Sequence, residues 1–157
     1  YTDADFVRKM DTAAARPLTG EELERTYRNL DRNTEYYFHV HSLEDDHLLG
    51  FVTLFNIEWH NQVAQLAIAI GDPDERGHGY GTETLSLILN YAFNELNLYK
   101  VCLDVIATNP AAIAVYQNSG FEFEGTNKRA IKRDGQRIDL YHMGLFAADF
   151  QPRVTLN

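Results

Sequence analysis

Between Thr82 and Leu96 the apolar residues Leu85, Ile88, Leu89, Ala92 and Leu96 recur on one face at helical spacing. This is the clearest helix in the chain. Upstream, Thr19 and Glu22 stand in capping-box register and predict a polar helix over about Glu21–Leu30, after a short helix over Asp5–Met10. Strand formers fill Tyr36–His41, Leu48–Phe55 and Val63–Ile70, with the acidic stretch Glu44-Asp45-Asp46 turning the first into the second. The links are too short for crossovers, so these strands are expected to be antiparallel. In Lys100–Ala107 both alternating sets are mostly apolar, which predicts a strand covered on both faces. Asn109 is a cap and Pro110 a first residue for the next helix, and Gly120 can end it in a left-handed conformation. A strand begins at Phe121–Phe123, and Asp134-Gly135 marks a hairpin running to about Leu145. The order predicts a mixed α/β domain over residues 1–157, with helices on both faces of one sheet.

Composition narrows the class. A length of 157 residues suits one core, and 45% hydrophobic with 24% charged residues is ordinary for a soluble globular chain. No membrane-spanning run and no signal peptide are visible, and no initiator Met is present. The lone Cys102 excludes an internal disulfide and fits the cytoplasm. A net charge of -9 argues against nucleic-acid binding and weakly favours a cationic substrate.

The strand Val63–Ile70 runs through Gly71–Glu75 into Arg76-Gly77-His78-Gly79-Tyr80-Gly81, and then the long helix. Glycines let backbone approach a ligand, while the first N–H groups of a helix lack internal partners and carry positive potential. Arg76 and His78 can add charge. The segment is therefore either a phosphate cradle or a plain glycine-rich turn. It lacks the lysine of a P-loop, and its glycine spacing departs from the dinucleotide fingerprint.

Arg76, Gly79 and Gly81 match the Arg/Gln-x-x-Gly-x-Gly/Ala motif, and Asn109, Ala112, Tyr116, Gly120 and Phe121 match Asn-x-x-Ala-x-x-x-Tyr followed by Gly-Phe. With Asn97-Leu98-Tyr99-Lys100 between them, these residues resemble the GNAT acyltransferases, in the branch of ribosomal-protein and spermidine acetyltransferases. The resemblance spans about Leu48 to Leu145. It implies a mostly antiparallel, splayed sheet with acetyl-CoA in the gap and, in relatives, often a homodimer. The main chain of Ile68, Ala69 and Ile70 would pair with pantetheine, although core packing alone explains the two isoleucine side chains. Backbone N–H groups from Gly77 through His78, Gly79, Tyr80 and Gly81 to Thr82 would hold the pyrophosphate. Asn109, Ala112 and Tyr116 would contact the cofactor from the other side.

Amine acylation needs a neutral amine, a donor to the thioester oxygen and stabilisation of the departing thiolate. The resemblance gives the last role to Tyr116, against the plainer reading of a tyrosine packed on a helix face. Many relatives carry Glu where this chain has Gln65, which cannot act as a base. Glu58 and His60 are nearby alternatives, though turn residues are more often simply solvated. Cys102 reads as core, and His39, His41 and His47 show no metal-ligand pattern, so no metal is expected. The implied reaction is direct acetyl transfer to a primary amine: a protein N-terminus, a polyamine, an amino acid or an aminoglycoside-like amine. A non-catalytic acyl-CoA sensor of the same fold, or a nucleotide or phosphometabolite enzyme, are the alternatives.

Overall fold

The computed structural model describes residues 7, 8, 10, 12, 19–71 and 73–152. Half of the expected Asp5–Met10 helix lies outside them, while Val7, Arg8 and Met10 are helical. The first complete helix, α1, is Gly20–Arg28. Its capping box forms as expected: Thr19 Oγ1 accepts from the Glu22 N–H at 3.2 Å, and Glu22 Oε2 accepts from the Thr19 N–H at 2.9 Å.

Strands β1 (Tyr36–His41), β2 (Leu48–Glu58) and β3 (Val63–Ile70) form an antiparallel meander. Helix α2 (Tyr80–Asn90) follows, then β4 (Lys100–Ile106), helix α3 (Pro110–Asn118), and the long hairpin β5 (Glu122–Arg133) and β6 (Gln136–Phe146). The sheet order is β1-β2-β3-β4-β6-β5. Asp134 and Gly135 both take positive φ, 48° and 77°, which matches the right-handed twist of the hairpin they close.

One face of the sheet carries Val52, Leu54, Ala64, Leu66, Val101, Leu103, Met143 and Leu145, buried in one cluster with Leu85, Ile88 and Leu89 of α2, Ala92 just beyond its end and Tyr116 of α3. Each of these large apolar side chains is worth about 1.5–3 kcal/mol of burial. The opposite face meets α1 through Tyr27, whose ring centroid lies 5.0 Å from that of Tyr37; Tyr37 in turn stacks on Phe51 at 5.2 Å.

Two expectations need correction. The long helix starts at Tyr80, not Thr82, because Gly79 takes φ 92° and acts as N-cap. Its last turn, Tyr91–Glu95, is π-helical, with the Leu96 N–H reaching the Tyr91 carbonyl at 3.1 Å. The extra residue keeps the adjacent Ala92 and Phe93 both buried, and Asn97 at φ 53° stops the helix. Strand β4 is not covered on both faces along its length. Val101, Leu103 and Val105 are buried beneath the helices, but opposite them Cys102 is half-buried, Asp104 exposed and only Ile106 buried. Apolar alternation could not reveal that no described element covers that face at Asp104.

Candidate functional site

Strands β3 and β4 run parallel and pair only from Val63–Lys100 to Gln65–Cys102. Beyond that row they part. Leu66–Ile70 bond to β2 alone, and Leu103–Ile106 to β6 alone. A wedge therefore opens toward the C-terminal ends of both strands. Each strand leads directly to a helix at that end, so the N-termini of α2 and α3 flank the mouth.

The loop from β3 to α2 is held by Arg76, whose Nε donates to the Ile70 carbonyl at 3.2 Å and Nη2 to the Gly71 carbonyl at 2.8 Å. Arg76 thus pins the loop to the end of β3 while adding positive charge. Gly77 and Gly79 have φ 84° and 92°, where an L side chain is strained. Gly81 has no such φ, and a Cβ there would meet nothing within 4 Å. Neither backbone strain nor packing within the chain requires glycine at 81; the bare surface suits close approach by a ligand. The first helical bond runs from the Glu83 N–H to the Gly79 carbonyl at 3.0 Å, so the amides of Tyr80, Gly81 and Thr82 have no carbonyl a turn behind them. His78 is exposed and its ring lies 6.2 Å from that of half-buried Tyr80. A pyrophosphate fits this cradle of free amides, open space and nearby guanidinium.

On the other flank, Asn109 caps α3 by accepting from the Ala112 N–H at 3.2 Å. Two turns on, Tyr116 is 8% exposed. The Phe121 N–H reaches the Tyr116 carbonyl and the Gly120 N–H the Gln117 carbonyl, both at 3.0 Å, which forms a Schellman motif. The Phe121 ring packs edge-on against Tyr116 at 5.9 Å. The Gly-Phe pair therefore fixes both backbone and ring of Tyr116. Burial pushes the Tyr116 phenol up to about 12, and its hydroxyl makes no hydrogen bond to any described residue. The hydroxyl is not sealed from solvent, so its donor is open to something that binds there. Gly120 sits at φ 98°, and a Cβ would lie 3.3 Å from Leu145 Cδ1. Gly120→Ala is expected to cost roughly 1–2 kcal/mol and lower the melting temperature by roughly 2–8 °C, as scanning calorimetry would show.

The backbone of Ile68, Ala69 and Ile70 lies on the β3 side of the wedge. Gln65 is exposed at the apex, in register with Cys102. Glu58 and His60 fall beyond the closed end, separated from the wedge by the paired rows; both are exposed, and Glu58 accepts from Asn61 Nδ2 at 2.6 Å. Burial raises the Cys102 thiol, which disfavours a nucleophilic thiolate. Among the described residues no group of three or more His, Cys, Asp or Glu side chains could hold a metal, and no helix is long and apolar enough to cross a membrane.

Sequence reading missed Gly50, which lies opposite Ile70 on β2. A Cβ there would stand 1.9 Å from the Ala69 carbonyl oxygen. Nothing in the local pattern marks Gly50; it stands out only once the β2–β3 register is known.

A parted parallel strand pair with a glycine-loop helix at its open end defines an acyl-CoA-binding acyltransferase fold. The Acetyltransferase (GNAT) domain model matches residues 1–122, and the chain belongs to that family. It is 33% identical over 107 residues to a probable N-acetyltransferase of Bacillus subtilis, a match covering 68% of this chain and 59% of that protein. It is 30% identical over 134 residues to a spermidine N(1)-acetyltransferase of Vibrio cholerae, covering 85% of this chain and 76% of that protein. The crystal structure of spermidine N-acetyltransferase from Vibrio cholerae in complex with CoA and spermine superposes with a TM-score of 0.84 at 26% identity, covering 94% of this chain and 85% of that one.

Proposed function

We propose that this chain is a single acetyltransferase domain that carries an acetyl group from acetyl-CoA directly to a primary amine. The observation that carries the reading is the parting of β3 from β4 after Gln65–Cys102, with the glycine loop at the open end. Main-chain groups of Ile68, Ala69 and Ile70 align pantetheine along the unpaired side of β3. Amides from Gly77 through Tyr80 and Gly81 to Thr82 bind the pyrophosphate, with Arg76 and His78 adding positive charge or donors. Asn109 and Ala112 line the opposite flank. The Tyr116 hydroxyl donates a hydrogen bond to the thiolate as it leaves.

Polyamines are the first acceptor class to try, supported by the spermidine acetyltransferases among the relatives and by the net charge of -9. The free Cys102 is consistent with a reducing cytoplasm. The test is the melting temperature with acetyl-CoA, CoA, NAD and ATP at matched concentrations. Acetyl-CoA and CoA are expected to raise it by several degrees while NAD and ATP leave it in place. No shift with either CoA species would remove the reading.

A further inference from the structure

Resting on this reading, we propose that His142, held by Asp104, is the proton acceptor for the incoming amine. The two residues stand opposite each other on β6 and β4, and His142 Nδ1 lies 2.5 Å from Asp104 Oδ1. Register places them on the same sheet face as Cys102 and Gln65, one step beyond the last β3–β4 pair. One step is two residues, about 7 Å along the strand. The dyad therefore stands on the β4 side of the wedge, next to its apex, where this chain carries Gln65 in place of a carboxylate.

Both side chains are accessible, at 43% for His142 and 41% for Asp104. With Nδ1 engaged by the carboxylate, the imidazole has the orientation of a histidine base, and Nε2 makes no hydrogen bond to any described residue. The other charged or titratable groups on this face are Lys100 and Cys102 on β4 and Glu122, Glu124 and, at the hairpin end, Arg133 on β5; across the wedge β1 adds Tyr37 and His39, which pack with Tyr27 of α1. Lys100 is paired with Glu124 at 2.6 Å across Gly144, whose missing side chain leaves the ion pair room. The cation nearest along β4 is thus already neutralised, and Asp104 is the carboxylate left to orient His142.

In the proposed step the amine nitrogen bonds to the thioester carbon, and the C–S bond breaks with its electron pair going to sulfur. His142 Nε2 takes the proton that the nitrogen sheds. The thiolate, hydrogen-bonded by Tyr116, is protonated through solvent as His142 returns its proton. His142 is the catalytic residue and Asp104 a positioning residue.

The experiment measures kcat/KM against pH with acetyl-CoA and a panel of spermidine, an amino acid and a short peptide, following the best acceptor. His142→Gln is expected to lose about 100-fold in kcat/KM together with the ascending limb of the pH profile, while keeping the acetyl-CoA thermal shift. Asp104→Asn is expected to lose about 10-fold. His142→Ala is expected to regain activity with added imidazole. A His142→Gln protein with wild-type kcat/KM and an intact ascending limb overturns the proposal and leaves the acetyltransferase reading standing. A wild-type protein that shows no CoA-dependent shift and acetylates no panel amine overturns both.

Discussion

Tyr116→Phe is expected to lower kcat by about 100- to 1,000-fold while leaving the acetyl-CoA thermal shift unchanged. The substitution keeps the ring that packs on Phe121 and removes only a hydroxyl that bonds to no described residue. Stability at neutral pH should therefore hold or rise slightly, and a fall in kcat cannot be blamed on unfolding. The elevated pKa decides what the hydroxyl does. A phenol at about 12 facing a thiol near 8.5 would pay about 5 kcal/mol for full proton transfer, so its contribution is a hydrogen bond to the leaving sulfur. The same elevation has a signature in stability. Between pH 10 and 12 an unfolded tyrosine ionises while the buried one does not, so folding weakens through that window. The parent should lose stability there relative to Tyr116→Phe, as denaturation at stepped pH would show. A variant with wild-type kcat would leave Tyr116 a packing residue with no part in turnover.

The elements that sequence made legible are those with local causes. The Thr19–Glu22 box, the Asn109 cap, the left-handed Gly120 and the Asp134-Gly135 turn each need only a few neighbouring residues, and each forms as expected. The motif residues Arg76, Gly79, Gly81 and Tyr116 were legible too, as spacing and as family resemblance. What escaped depends on residues far apart in sequence. The π-helical turn at Tyr91–Glu95 arises where the helix must bury two adjacent side chains, Ala92 and Phe93. The Asp104–His142 pair needs the β4–β6 register, which joins residues 38 apart in sequence. Asp104 is exposed because no described element covers that face of β4 there, although Leu103 and Val105 on the other face are buried; no alternation of apolar residues encodes that.

Gly50→Ala should be the most damaging single-methyl change in the described chain. The added Cβ would lie 1.9 Å from the Ala69 carbonyl oxygen, 2.9 Å from its carbon and 3.1 Å from the Ile70 Cα. All three are backbone atoms, so no rotamer change relieves the clash, and β2 or β3 must move. The register allows little slack, because Gly50 pairs with Ile70 and the Gly71 N–H bonds the Leu49 carbonyl at 2.8 Å. A cost of about 3 kcal/mol and a melting temperature lower by roughly 6–12 °C are expected. The displaced segment is the part of β3 proposed to meet pantetheine, and its end is the anchor to which Arg76 ties the glycine loop. Acetyl-CoA should accordingly bind about tenfold more weakly, the equivalent of one misaligned hydrogen bond. Gly20→Ala is the matching control: a Cβ at that position in the first turn of α1 meets nothing within 4 Å, and neither melting nor binding should suffer. If Gly50→Ala melted lower but bound acetyl-CoA as tightly as the parent, the clash would be real and β3 would not be the cofactor's rail. If it changed neither, the close approach of β2 to β3 would not be needed at all.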